Sequence, residues 1–138
     1  MNLPMTTIND NEQLAMYVED EKIVINEGQI KGDFFVPTIN PNPPNKGRLE
    51  KSVIRYGIRD LNQMINCGRQ WAKYWRKSFT GIINLIVSDV RLIKELDVIH
   101  TPRSWENLHS DIIGWDSNIV FQRVQAEDLA RKAKYLKS

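Results

Sequence analysis

The sequence predicts a mainly α-helical protein, with a bundle-like domain of four to five helices behind an N-terminal arm. From Arg48 onward, apolar residues recur mostly at spacings of three and four, which is the period of an α-helix. Capping and breaking residues divide the remainder into segments of helix length. The length of 138 residues, with 41% hydrophobic and 26% charged residues, suits one globular domain.

The N-terminal arm, residues 1–47, is predicted to be acidic and Pro-rich. Residues 1–46 carry three lysines against seven acids, a net charge of −4. Short β-branched and aromatic runs separated by glycine within residues 22–36 predict a short β-hairpin. Four prolines within residues 37–47 predict a stiff connector, and a Pro-rich ligand for another domain is the alternative.

The helical domain is predicted to span residues 48–138, and its first helical pattern covers residues 48–79. Gly68 leaves open whether this pattern is one helix or two, because a glycine inside a helix costs roughly 1 kcal/mol. The apolar run at residues 82–87 suits either a buried strand or a buried helix. Continued helical spacing as far as Leu96 favours the helix.

Two further helices are predicted in the last third of the chain. Thr101 and Pro102 match an N-cap and a first helical residue, and Gly114 would end that helix. Asp116 and Ser117 can cap a last helix that runs to about residue 137.

Basic residues dominate one side of the pattern at residues 48–79. On a helical wheel they fall in an arc of about 100° beside the apolar face, and the sequence between Asp60 and Asp89 contains no acid. The stripe consists of Arg48, Lys51, Arg55, Arg59, Arg69, Lys73, Arg76 and Lys77.

Such a stripe predicts a non-enzymatic nucleic-acid-binding protein, for DNA or RNA. Cations can hold phosphates, and aromatic rings interleaved with them can stack on exposed bases. The predicted phosphate contacts are Lys51, Arg55, Arg59, Arg69, Lys73, Arg76 and Lys77, and the predicted stacking residues are Trp71 and Tyr74. A solvated face, a protein-binding face and an anionic membrane surface are the alternatives for the same stripe.

The charge asymmetry of the chain suggests a second function, that of a protein-interaction or assembly subunit. Residues 47–138 carry sixteen Lys and Arg against ten acids, a net charge of +6. The acidic arm could therefore pack on the basic face of a neighbouring chain, as in a homo-oligomer or a complex with another protein.

A third function rests on the segment from Arg103 to His109. Its arginine and histidine, separated by five residues, resemble the R-x(4–6)-H pattern of the HEPN family of helical ribonucleases. The resemblance implies that Arg103 and His109 form an RNA-cleaving pair in a dimeric helical bundle.

Other chemistry has little support in the sequence. The single cysteine, Cys67, and the two histidines lack the spacing of a zinc site, and we find neither a phosphate-binding loop nor a nucleophile elbow. We therefore predict no metal and no cofactor, and a binding protein rather than an enzyme. The uncharged stretches are too short for a transmembrane segment, and no secretory signal is recognisable. An intracellular protein, cytoplasmic or nuclear, is expected.

Overall fold

The predicted helical bundle is wrong. The computed structural model describes residues 7–20, 22, 24, 29–57 and 60–138, and this part of the chain folds as a seven-stranded antiparallel sheet with three α-helices. The strands are β1 (Gln13–Val18), β2 (Thr38–Ile39), β3 (Leu49–Arg55), β4 (Gly81–Ile86), β5 (Asp97–His100), β6 (His109–Ile113) and β7 (Lys134–Lys137). The helices are α1 (Leu61–Trp75), α2 (Val87–Arg91) and α3 (Ile119–Lys132), with a 3-10 helix at Gly32–Phe35.

The sheet has the strand order β5-β6-β3-β1-β4-β7, and β2 pairs with the first residues of β3. All of these neighbours are antiparallel. Strand β1 comes from the acidic N-terminal segment, yet it lies inside the sheet between β3 and β4.

The sheet is covered on both faces, and the alternation of side chains along β1 shows how. Leu14 and Met16 belong to a large core that includes Ala126 and Leu129 of α3. The intervening Ala15 belongs to a smaller core with Met64 of α1. Because successive side chains of a strand point to opposite faces, α1 and α3 pack on opposite faces of the sheet.

The pattern at residues 48–79 combines a strand and a helix. Residues 49–55 form β3, so the predicted single helix begins only at Leu61, where Asp60 and Gln63 form a capping box. Gly68 does not divide α1. A Cβ at this position would collide with the ring of Phe79, and so the glycine permits close packing rather than a break.

Two other predicted helices are strands. Residues 81–86 form β4, and the segment from Thr101 to Gly114, predicted as a helix, contains β6. Gly114 has a φ of 92°, and a Cβ there would meet the carbonyl oxygen of Glu95, so its role is that of a turn residue.

The predicted last helix is present as α3, although its limits differ. Asn118 caps it through a hydrogen bond from the amide of Val120, and α3 ends at Lys132, after which β7 joins the sheet. In the N-terminal segment, residues 23 and 25–28 of the predicted hairpin lie outside the described residues. Val24 and Ile30 form an isolated bridge.

None of the helices in the described part of the chain has the length and hydrophobicity that crossing a lipid bilayer would require.

Arg55 is the largest fully buried side chain, although its sequence position suggested an exposed cation. Its Nε lies 2.8 Å from Glu12 Oε1 and its Nη2 lies 2.9 Å from Glu12 Oε2, a bidentate pair with both side chains buried. Its Nη2 also donates to the carbonyl oxygen of Thr7. The pair fixes the end of β3 against the residue that leads into β1.

Removing one partner of this pair should cost far more than removing an exposed one. We expect Glu12→Ala to lower the free energy of unfolding by about 3–5 kcal/mol, because Arg55 would remain buried without its carboxylate. Urea unfolding measures the loss. The matched control is Glu19→Ala, whose exposed pair with Lys77 spans 3.7 Å and should be worth less than about 1 kcal/mol. Equal losses in the two variants would contradict this account.

Candidate nucleic-acid interface

A gap in the sheet lies between β1 and β3. Strand β1 pairs with β4 along its whole length, whereas its ladder with β3 covers only Leu14–Arg55 and Ala15–Ile54. Beyond Ala15 a cavity of about 510 Å³ opens between the two strands, lined by residues 15–17 of β1 and residues 51–54 of β3. We call it the seam cleft.

A second depression of about 410 Å³ adjoins the seam cleft and lies between α1 and the loop at residues 101–108. The two cavities share Tyr17, Trp71 and Trp105. We call the second one the aromatic groove; its lining residues are Tyr17, Cys67, Gln70, Trp71, Tyr74, Trp75, Trp105 and Glu106.

Helix α1 positions the rings of the aromatic groove. Trp71 packs on Tyr17 of β1, with ring centroids 5.2 Å apart, and Tyr74 meets Trp75 edge-on at 5.0 Å. Tyr74 is 77% exposed, Trp75 48% and Trp105 54%. Exposing three large aromatic side chains around one depression leaves apolar area in water, which is typical of a binding surface.

A polar cluster lies where the seam cleft meets β6. Asp111 is buried, and its Oδ2 accepts a hydrogen bond of 2.7 Å from Thr101 Oγ1 and lies 3.9 Å from Arg103 Nη2. The ring of Trp105 approaches the ring of His109 edge-on, with centroids 5.8 Å apart. The pairing of β5 with β6 creates the cluster, because it sets the end of β5 beside residues 109–111.

His109 is held in one tautomer. Its Nδ1 lies 2.9 Å from the carbonyl oxygen of Thr101, which can only accept, so Nδ1 carries the proton. Its Nε2 has no hydrogen-bond partner among the residues that the structure describes, and the side chain lines the seam cleft. Burial lowers the pKa of His109, and the nearby Asp111 carboxylate only partly opposes this. The neutral ring therefore offers Nε2 as a hydrogen-bond acceptor.

The predicted basic stripe is not continuous, because its first members lie in β3 or immediately before it. Arg55 is buried against Glu12, and Arg48 pairs with Glu50 at 2.9 Å. Lys51 lines the seam cleft. Arg59 lies outside the described residues.

The remaining predicted cations are on α1 or just after it. Arg69, Lys73 and Arg76 are exposed, and no carboxylate of the described residues lies within 4 Å of them. Lys77 is near Glu19, and its Nζ lies 5.8 Å from the centre of the Trp71 ring. Trp71 and Tyr74, the predicted stacking residues, both line the aromatic groove.

Arg103 and His109, the pair predicted by the HEPN resemblance, do not lie in the helical bundle that this family implies. Arg103 belongs to a loop and His109 begins β6, so neither residue is on a helix of a bundle. Both nevertheless line the seam cleft. The sequence analysis missed Thr101, Trp105 and Asp111, and only the strand alternation of residues 109–113 could have suggested that Asp111 faces the same side as His109.

Within the described ranges, no group of three or more His, Cys, Asp or Glu side chains is arranged to hold a metal ion. Comparisons of the chain with protein families, with curated proteins and with solved structures found no match.

The lowered pKa of His109 predicts how stability depends on pH. As the pH falls below 6.5, the ordinary pKa of histidine, the unfolded chain binds a proton that folded His109 does not. Stability should therefore be retained above about pH 6.5 and should fall between pH 6.5 and the lower pKa of His109 in the folded protein. We expect the urea midpoint of His109→Asn to vary less over this window than that of the unmodified protein. Burial also lowers the pKa of His100, so His100→Asn measures the other histidine's share. An unchanged slope in His109→Asn would contradict the assignment.

Proposed function

We propose that the protein binds single-stranded nucleic acid along the aromatic groove. The observation that carries this proposal is the group of exposed rings, Tyr74, Trp75 and Trp105, beside cations of α1 that have no carboxylate partner in the described part of the chain. Aromatic side chains can stack on any base, and lysine or arginine beside them can hold the phosphates.

The cations differ in how close they lie to the groove. At about 100° per residue, Lys73 is about 60° around α1 from Gln70, which lines the groove. Lys77 approaches Trp71, and Arg103 lies on the opposite side, in the loop. Arg69 and Arg76 are farther round the helix. A strand whose bases enter the groove would therefore place its phosphates over Lys73 and Lys77.

Unpaired strands suit this surface better than a duplex. Bases inside a duplex are stacked on each other and offer only their edges, whereas the groove presents flat rings. The ligand class is therefore a single strand, with stacking as the main contact.

The assembly hypothesis has a different observation in its favour. Three carboxylates of the acidic N-terminal segment, those of Asp10, Glu12 and Asp33, pair with arginines of the same chain. Helix α3, on the sheet face opposite the groove, exposes four apolar side chains near its start: Ile119, Val120, Phe121 and Val124. A protein partner on that face is our second candidate, and it leaves the groove open.

Removing the exposed rings should weaken binding to single strands. We expect Tyr74→Ala/Trp75→Ala to raise the Kd for a labelled oligothymidine or oligouridine about 5- to 150-fold per base stack lost, equivalent to about 1–3 kcal/mol. Fluorescence anisotropy gives the Kd. The control is Phe121→Ala/Val124→Ala, which removes exposed apolar area on the other face. The proposal is contradicted if both double variants bind the single strand as tightly as the unmodified protein does. It is also contradicted if the protein prefers the duplex of the same sequence.

Neutralising the cations beside the groove should change the salt dependence. If Lys73 and Lys77 each contact one phosphate, Lys73→Ala/Lys77→Ala should reduce the slope of log Kd against log salt by about 1.4, since each contact on a single strand contributes roughly 0.7. The matched control, Lys132→Ala/Lys134→Ala, removes the same charge from exposed positions at the end of α3 and in β7. Equal slopes for the two double variants would show that the bound strand does not lie over α1.

A further inference from the structure

The seam cleft contains a half-buried lysine whose ammonium group has no carboxylate within 4 Å among the described residues. Lys51 lies on β3, is half-buried, and lines the cleft. Its Nζ stands 4.8 Å from the centre of the Phe34 ring, and no carboxylate of the described residues lies within 4 Å of it. Burial lowers the pKa of Lys51, which reports the cost of holding this charge without a partner.

The cleft passes between the strands rather than ending at one face of the sheet. Lys51 and Phe34 lie on the face covered by α3, whereas Trp71 and His109 line the cleft from the face covered by α1. The α1 side opens into the aromatic groove through the shared residues Tyr17, Trp71 and Trp105. A strand lying in the groove could therefore direct one end towards Lys51.

The two ends of this cavity favour different parts of a nucleotide. The rings of Trp71 and Trp105, with the Nε2 acceptor of His109 and the guanidinium of Arg103, suit a base and its sugar. At the other end, the ammonium of Lys51 suits a group of high negative charge. A terminal phosphate monoester carries about −1.5 to −2 charges at neutral pH, more than an internal phosphodiester, which carries one.

The volume of the cavity agrees with such an occupant. About 510 Å³ is within the range of roughly 300–1,000 Å³ that small-ligand sites occupy. Among the described residues that line the cleft, only Glu19 carries a carboxylate, and it lies 3.7 Å from Lys77 rather than beside Lys51.

We infer that the seam cleft receives the phosphorylated end of the bound strand, with the terminal phosphate on Lys51 and the terminal base between the rings of Trp71 and Trp105. This inference rests on the proposed function, which it deepens by naming the end of the strand as the feature that is recognised. The chemistry is the same for a 5′ and a 3′ phosphate, and for a free nucleoside monophosphate.

The test compares three labelled forms of one short oligonucleotide: a 5′ phosphate, a 3′ phosphate and hydroxyl groups at both ends. We expect one phosphorylated form to bind the unmodified protein about 10-fold more tightly than the hydroxyl form. In Lys51→Met the phosphorylated and hydroxyl forms should bind with equal Kd values, whereas Lys51→Arg should retain the difference between them. Lys46→Met, which removes an exposed lysine from a loop, is the matched control.

Each outcome has a separate meaning. Equal Kd values for the three oligonucleotides overturn the inference while strand binding stands. An increment that survives in Lys51→Met also overturns it, provided that urea unfolding shows the variant to be folded. If the phosphorylated form and a nucleoside monophosphate bind but the hydroxyl form does not, the phosphate site in the seam cleft is supported. The same result overturns strand binding along the aromatic groove. If none of the three oligonucleotides binds, both proposals fail.

Discussion

The buried pair of Arg55 and Glu12 is the constraint on which the arrangement of the sheet depends. It lies beside the two residue pairs that join β1 to β3, and so it fixes one set of strands, β5, β6, β3 and β2, to the other, β1, β4 and β7. A buried guanidinium is tolerated only when its donors have partners, and Arg55 donates to the carboxylate of Glu12 and the carbonyl oxygen of Thr7, while its Nη1 lies 3.4 Å from His100 Nδ1. Because β1 and β3 are held together at Leu14 and Ala15, the two strands can separate beyond Ala15 and leave the seam cleft open.

The candidate interface uses that opening. Tyr17 and helix α1 line one side of the groove, and the loop at residues 101–108 lines the other. Helix α1 also packs on Ala15 of β1 and Ile54 of β3, so it bridges the seam. A ligand in the groove and cleft would contact both sets of strands, and its binding energy would add to the few contacts that join them.

Part of this structure was accessible from the sequence. Apolar periodicity predicted a helix over the residues that form α1, and the capping residues Asp116 and Ser117 predicted a last helix close to where α3 begins. The strands were not recognised, since β3 buries Glu50 and Arg55 along with Val53 and Ile54 and therefore lacks the alternation of a half-exposed strand. Strand β4 is an apolar run covered on both faces, which periodicity cannot distinguish from a helix. The site followed the same division: Trp71, Lys73 and Tyr74 were predicted from α1, whereas Thr101 and Asp111 meet only through strand pairing.

The order of strands in the sheet also determines how quickly the chain can find its structure. Asn84 donates a hydrogen bond to the carbonyl oxygen of Leu14, 70 residues away, and Ser52 meets Asp111 across 59 residues. Each such contact requires the closure of a long loop, whose entropy cost comes before the pairing contributes any stabilisation. Proteins dominated by distant pairings fold over milliseconds to seconds, whereas helical bundles take microseconds to milliseconds. The topology of the described residues therefore belongs with the slow-folding class.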